Sequence, residues 1–224
     1  MSKSVFVNIC SRNTAFWHMV TAFQVAANEL GKKMQIPCRL SPYIGDSLIS
    51  RARCMALHAF LESDCEWLFT LDDDIELPPH AMWKLIEADK DIIGGIYRLK
   101  SQAVNRNPFA IRFLEENAHI DKDTVHEVGY VSTGCVMHKR SFIETLVAQY
   151  EDLWFYENMT GKKVPALYLP FIYKNEYLSE DWAFCQRAID AGHKIYMHSG
   201  VQCGHWGLHN FKPSDLSKKE LDIK

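Results

Sequence analysis

Glu66-Trp67-Leu68-Phe69-Thr70-Leu71-Asp72-Asp73-Asp74-Ile75-Glu76-Leu77-Pro78-Pro79 is an apolar run that stops at three consecutive aspartates. A run of this shape reads as a strand, and open α/β sheets hold ligands beyond the C-terminal ends of their strands. Adjacent carboxylates repel one another unless a cation lies among them. The triplet alone therefore supports two readings, a cation site or a solvated acidic turn.

Upstream, Val5 to Cys10 predicts a strand, residues 15 to 30 a helix closed by Gly31, and Lys33 to Leu40 a second strand. Asp46 to Leu61 has helical apolar spacing that puts Arg51 and Arg53 near its rim. Downstream, Pro79 to Ala88 reads as a helix begun by proline, and Asp91 to Tyr97 as a strand containing Gly94-Gly95. Shorter, more antiparallel strands follow at Phe109 to Leu114, Val125 to Val131 and Cys135 to Met137, with Ser132-Thr133-Gly134 as a break. Ser141 to Tyr150 reads as a helix; the stretch to Pro170 has no period and reads as a functional loop or mobile flap. Ser179 to Ala191 is a helix with Ser179 as N-cap and Gly192 as its stop, and Ile195 to Met197 is a last strand. The expected organisation is one α/β domain over 1–211, then a charged tail or linker over 212–224 that leaves room for further domains.

With 224 residues, 47% of them apolar, the chain can bury one sizeable core. The net charge of -3, with no basic run interleaved with aromatics, excludes nucleic-acid binding as a main role. Seven scattered cysteines without a CxxC pair read as reduced core residues. No apolar stretch is long enough for a membrane span or a signal peptide, so a cytosolic location is expected.

Aspartate oxygens suit magnesium, manganese or calcium, and one added histidine nitrogen tilts the preference toward manganese. His205, between Gly204 and Gly207, is a candidate; its HxxxH spacing with His209 suggests zinc, but Gly207 argues against the helix such a pair needs. Glu180 and Asp181 read either as acids favoured by a helix dipole or as a base for an attacking hydroxyl. Gly94-Gly95 reads as tight packing or as an approach for a ligand.

In order, the strand ending in Asp72-Asp73-Asp74, then Gly94-Gly95-Ile96-Tyr97, Ser132-Thr133-Gly134, Ser179-Glu180-Asp181-Trp182 and His205 resemble the nucleotide-sugar-dependent glycosyltransferases of the GT-A fold. The likeness runs from Val5 to about Gly207 and is closest to the short cytosolic members from large DNA viruses and phages. One departure is Arg53-Cys54, where that group often has Arg-Asn. The resemblance implies a Rossmann-like domain with a mixed central sheet and helices on both faces. It also implies a hexosyltransferase using a UDP-sugar donor, Mn2+ or Mg2+, and a glycan or glycoprotein acceptor, in the cytoplasm, of the host if virus-encoded.

Under that resemblance Ser11, Arg12 and Asn13 would enclose the base, Arg53 would face the phosphates, and Asp72 and Asp73 would lie by the ribose and diphosphate. Gly95 would let the donor approach the backbone. Asp74 and His205, with Asp72 beside them, would hold the cation. Asp181 would be the base of an inverting reaction, with Glu180 orienting the acceptor or tuning Asp181. A retaining course would use the leaving phosphate as base. Three alternatives stand beside it. A sugar-nucleotide nucleotidyltransferase needs a glycine-rich phosphate loop that Ser11-Arg12-Asn13 lacks. A non-catalytic carbohydrate-binding protein would lack the acidic residues. A metal-dependent hydrolase would use His205 and His209. Trp154, Phe155, Tyr156, Tyr168 and Tyr173 read as a sugar-stacking surface or as core.

Overall fold

The computed structural model describes residues 2–11, 17–100, 107–115, 118–207 and 210–215. Along the chain these form β1 (Ser2–Ser11), α1 (Trp17–Met34), β2 (Cys38–Ile44), α2 (Ile49–Leu61), β3 (Cys65–Asp72), β4 (Ile75–Glu76), α3 (Ala81–Glu87) and β5 (Ile92–Ile96). Then come β6 (Ile111–Arg112), β7 (Val125–Val128), β8 (Tyr130–Val131), β9 (Cys135–Lys139), α4 (Arg140–Gln149), β10 (Trp154–Tyr156), β11 (Lys163–Pro165), β12 (Phe171–Tyr173) and β13 (Glu176–Leu178). α5 (Glu180–Asp190), β14 (Ile195–Gln202), β15 (Gly204–Trp206) and β16 (Asn210–Phe211) complete the order.

The central sheet has seven strands in the order β2-β1-β3-β9-β5-β14-β7. β1 runs parallel to β2 and β3, whereas β9 lies antiparallel between β3 and β5, so the sheet is mixed. Each face carries its own core. Cys54, Leu57 and Phe60 of α2, Phe142 and Leu146 of α4, and Phe184 of α5 fill one. Met19, Phe23 and Leu30 of α1, with Met82 and Leu85 of α3, fill the other. β1 sits between β2 and β3, and the helices leading to those two strands pack on opposite faces. A strand order that reverses in this way opens a crevice at the C-terminal ends of β1 and β3, where α/β sheets bind ligands. Ser11 and Asp72 end the two strands that flank it.

Several boundaries differ from the sequence reading for local reasons. α1 runs through Gly31 to Met34, and the left-handed residue past its end is Gln35, with φ 58°. β2 is displaced accordingly. α2 begins at Ile49 and not Asp46, because the Asp46 carboxylate accepts the Leu48 N–H at 2.9 Å and forms a turn ahead of the helix. The stretch to Pro170 is no flap. β10 and β11 pair as a hairpin, and Val164, Leu167 and Tyr168 are buried in the core beside α2 and α5. Of the expected tail, Pro213–Asp215 form a 3-10 turn, and 216–224 lie outside the described residues.

Candidate active site

The three aspartates leave β3 in different directions, and each finds its own partner. Asp72 Oδ1 accepts a hydrogen bond from Arg53 Nη2 at 2.9 Å. Asp73 Oδ2 accepts one from the Ser11 hydroxyl at 2.6 Å. Asp74 Oδ2 pairs with the Lys100 ammonium, and its Oδ1 lies 3.5 Å from His205 Nε2.

Arg53 projects from α2 and is only 5% exposed. Besides Asp72, it meets Glu180 Oε1 at 3.4 Å through Nε and the Thr133 carbonyl at 3.5 Å through Nη1. Burial works against its charge, but Asp72 and Glu180 outweigh that and hold its pKa above the ordinary value. Its guanidinium meets two carboxylates at the wall of the pocket described below. On the other side of Asp72, the turn at Ser132-Thr133-Gly134 closes tightly. Gly134 N donates to the Tyr97 hydroxyl at 3.2 Å, and a Cβ on Gly134 would lie 2.6 Å from that hydroxyl and 3.0 Å from Asp72 Oδ2. Only glycine fits there.

His205 reaches Asp74 because β15 pairs antiparallel with β4, setting His205 opposite Ile75, and because Trp206 N donates to the Asp74 carbonyl at 2.8 Å. Its Nδ1 donates to the Arg98 carbonyl at 2.6 Å, and its ring meets the edge of Tyr97. In the neutral tautomer this bond leaves the Nε2 lone pair facing Asp74 Oδ1, a buried oxygen with no hydrogen-bond partner among the described residues. A neutral ring would set two acceptors against one another, a conflict that either a proton on Nε2 or a cation between them removes. The chemistry of this pair fits manganese or magnesium, with the remaining positions left to oxygens of a ligand. Asp72 does not join it. Among the described residues no three of His, Cys, Asp and Glu converge on one ion, because Arg53 turns Asp72 aside; the expected Asp72, Asp74, His205 triad is corrected to a pair.

Ser11, Arg53 and the three aspartates line a polar pocket of about 330 Å³ together with Cys10, Asp46, Ser47 and Glu180, and His205 and Lys100 reach it through Asp74. Burial raises the Asp73 carboxyl above its usual range; Ser11 opposes this, and Asp74 and Asp72 add to it. Burial also pushes on Asp74, but His205 and Lys100 prevail and hold its carboxyl low. Glu180 is raised by burial, with Arg53 opposing.

Glu180 and Asp181 open α5 behind Ser179, the predicted N-cap. The Ser179 hydroxyl caps no backbone N–H. It donates to Asp181 Oδ1, which also accepts Trp182 N at 2.8 Å. Asp181 thereby faces away from the aspartate pocket. It lines a neighbouring cavity of about 540 Å³, walled by Phe109, Phe113, Leu114, Ser132 and Trp182. Arg112 spans one wall, 4.3 Å above the Trp182 ring and paired with Glu176.

Gly95 lies elsewhere. It is buried in β5, and a Cβ there would meet Val201 Cγ1 at 2.9 Å and Cys135 Sγ at 3.0 Å, so sheet packing accounts for it and the expected role at the donor does not match its position. Arg12, Asn13 and His209 lie outside the described residues. Of the aromatics weighed as a sugar surface, Tyr168 is core, stacked on Phe184 at 4.5 Å. Lys100 escaped the sequence reading altogether, since a lysine four residues past a strand carries no signal of its own. Asp46 was hidden inside an expected helix.

No protein-family model matches the sequence, and no curated protein matches it. Solved structures do. A197 from STIV is similar over 92% of this chain and 86% of its own, at 18% identity and a TM-score of 0.56. The inositol-1-phosphate CTP transferase from T. maritima is similar over 97% and 94%, at 11% identity and a TM-score of 0.44. S. aureus TarS 1-349 in complex with UDP-GlcNAc is similar over 87% and 56%, at 12% identity and a TM-score of 0.45. Identities this low speak to fold alone, and only the first has a score that carries weight. The chain has an α/β fold of the GT-A kind, with a mixed central sheet and helices on both faces.

Proposed function

We propose that the protein is a glycosyltransferase that moves a sugar from a UDP-sugar to a hydroxyl of a glycan or glycoprotein, with Mn2+ or Mg2+ as cofactor. The observation that carries this reading is the division of one crevice between consecutive residues. Glu180 closes the polar pocket that holds the aspartates, and Asp181 lines the larger, more apolar cavity beside it. A donor in the first would present its anomeric carbon toward an acceptor in the second.

In the polar pocket, Ser11 orients Asp73, and Arg53 orients Asp72, so both carboxylates stand ready to accept ribose hydroxyls. Asp74 and His205 would hold the divalent cation, which acts as a Lewis acid toward the diphosphate leaving group. Asp181 would be the base of an inverting reaction. Its Oδ1 is anchored by Ser179 and Trp182, leaving Oδ2 to accept the proton as the acceptor oxygen bonds to the anomeric carbon and the bond to the diphosphate breaks. Glu180 stays on the donor side, tied to Arg53.

Calorimetry with UDP, with and without Mn2+, tests the donor reading. Tighter binding with Mn2+ is expected, followed by slow release of UDP when the matching UDP-sugar is supplied without acceptor. Equal UDP affinity in both conditions would remove the metal bridge, and absence of UDP binding would remove the donor assignment.

A further inference from the structure

Asp74 cannot hold an ammonium and a divalent cation at the same carboxylate without the two cations repelling each other. Lys100 already holds it, through Oδ2, while Oδ1 faces His205. We infer that Lys100 is the protein's own counter-ion for the cation site: it neutralises Asp74 before loading, gives way to the divalent cation, and passes its charge to the donor's diphosphate. The inference rests on the proposed nucleotide-sugar reading and concerns how that site is filled.

Three features of the geometry support it. The Lys100 side chain is placed by the segment that carries His205, because its stem crosses Gly207, where an added Cβ would come 3.3 Å from Lys100 Cδ. Lys100 is also a third exposed, 33% against 5% for Arg53, so its head is free to move where the Arg53 guanidinium is locked. A compact ammonium on a flexible stem suits such a handover, and a planar guanidinium fixed at three partners does not. Finally, the carboxylates of Asp72, Asp73, Asp74 and Glu180 face the pocket, and a diphosphate entering among them needs more positive charge than Arg53 supplies. A cation at Asp74 and a freed Lys100 together provide it. Cation and nucleotide then bind cooperatively, each lowering the cost of displacing Lys100 for the other.

The test is titration of the full chain with Mn2+, followed by electron paramagnetic resonance of the free ion, with and without saturating UDP, for the wild type, Lys100→Met and Lys100→Arg. Without UDP, Lys100→Met is expected to bind Mn2+ about tenfold tighter than wild type, and its cooperativity with UDP to fall by about the same factor, near the low end of ordinary coupling between two sites. Lys100→Arg, which keeps the charge, is expected to retain weak binding without UDP. Unchanged Mn2+ affinity in Lys100→Met without UDP overturns the inference while leaving the cation reading intact. A gain of equal size with and without UDP overturns the handover, since it would reflect only a lost positive charge. If Mn2+ binds none of the three proteins in either condition, the cation reading falls and the inference with it.

Discussion

Replacing Arg53 by methionine removes the one group that ties α2 to both Asp72 and Glu180. The side chain is 5% exposed, 2.9 Å from Asp72 Oδ1 and 3.4 Å from Glu180 Oε1, so the change leaves two carboxylates without their cation. Breaking one side of a buried pair costs about 3–5 kcal/mol. Asp72 is 29% exposed and regains some hydration, which argues for the lower end, about 3 kcal/mol. For a chain of this length that is a fall in melting temperature of about 6–12 °C. The pH dependence follows from Glu180, whose carboxyl is already raised by burial and is restrained by Arg53. A group with a raised folded pKa contributes its full stability below its unfolded value and loses it as pH rises through the folded one. Removing Arg53 raises Glu180 further, so the deficit should be larger at about pH 7.5 than at about pH 5, because acid favours the neutral carboxyl that no longer needs the cation. Thermal unfolding of both proteins at the two pH values checks this. A deficit under about 2 °C at neutral pH, or one that grows in acid, would refute the reasoning.

Gly95→Ala should lower stability by about 1–3 kcal/mol, because Val201 and Cys135 occupy the space of the new methyl, while the folded protein keeps its UDP affinity; lost UDP binding at unchanged melting temperature would restore the donor-side role. Gly134→Ala should weaken UDP binding, since its methyl collides with the Tyr97 hydroxyl and presses on Asp72; calorimetry showing wild-type affinity would contradict the tight turn. Asp181→Asn should keep UDP affinity and lose transfer by about a hundredfold or more; near-normal transfer would reduce Asp181 to a helix-start acid. Tyr168→Phe removes a buried hydroxyl that has no hydrogen-bond partner among the described residues, so melting temperature should hold or rise, and a clear fall would expose a partner such as a buried water.

The α/β architecture was legible because β1, β3 and β5 are continuous apolar runs and α5 has helical spacing, and the candidate pocket could be located because Asp72 to Asp74 end one of those runs. What stayed hidden depends on contacts between distant residues. Gly31 looked like a helix stop, yet the turn fell at Gln35, with Met34 beyond the glycine packing against the core. The segment before Pro170 looked mobile because its apolar residues follow no single period, although Val164, Leu167 and Tyr168 are anchored individually. The partition of Glu180 and Asp181 into two cavities was also out of reach. Adjacent acids in a first helical turn look alike in sequence, and the ion pair of Arg53 with one and the hydrogen bond of Ser179 to the other separate them.

The same holds for the triplet itself. Three adjacent carboxylates suggested an ion among them, but the folded chain supplies a separate partner to each: Arg53 for Asp72, Ser11 for Asp73, and Lys100 with His205 for Asp74. Mutual repulsion is therefore no argument for a metal. The stronger argument is the buried Asp74 Oδ1, which has no normal-length hydrogen bond among the described residues and faces, 3.5 Å away, a histidine nitrogen whose ring is fixed by the Arg98 carbonyl. It also predicts an order of dependence. On the proposed reading, a nucleotide entering alone would meet four carboxylates and a lysine still held at Asp74, so its diphosphate would be repelled; with a cation present, Lys100 would be released and the same pocket would become attractive. Nucleotide affinity that rises with Mn2+ in the wild type, and rises much less in Lys100→Met, is the pattern this arrangement requires.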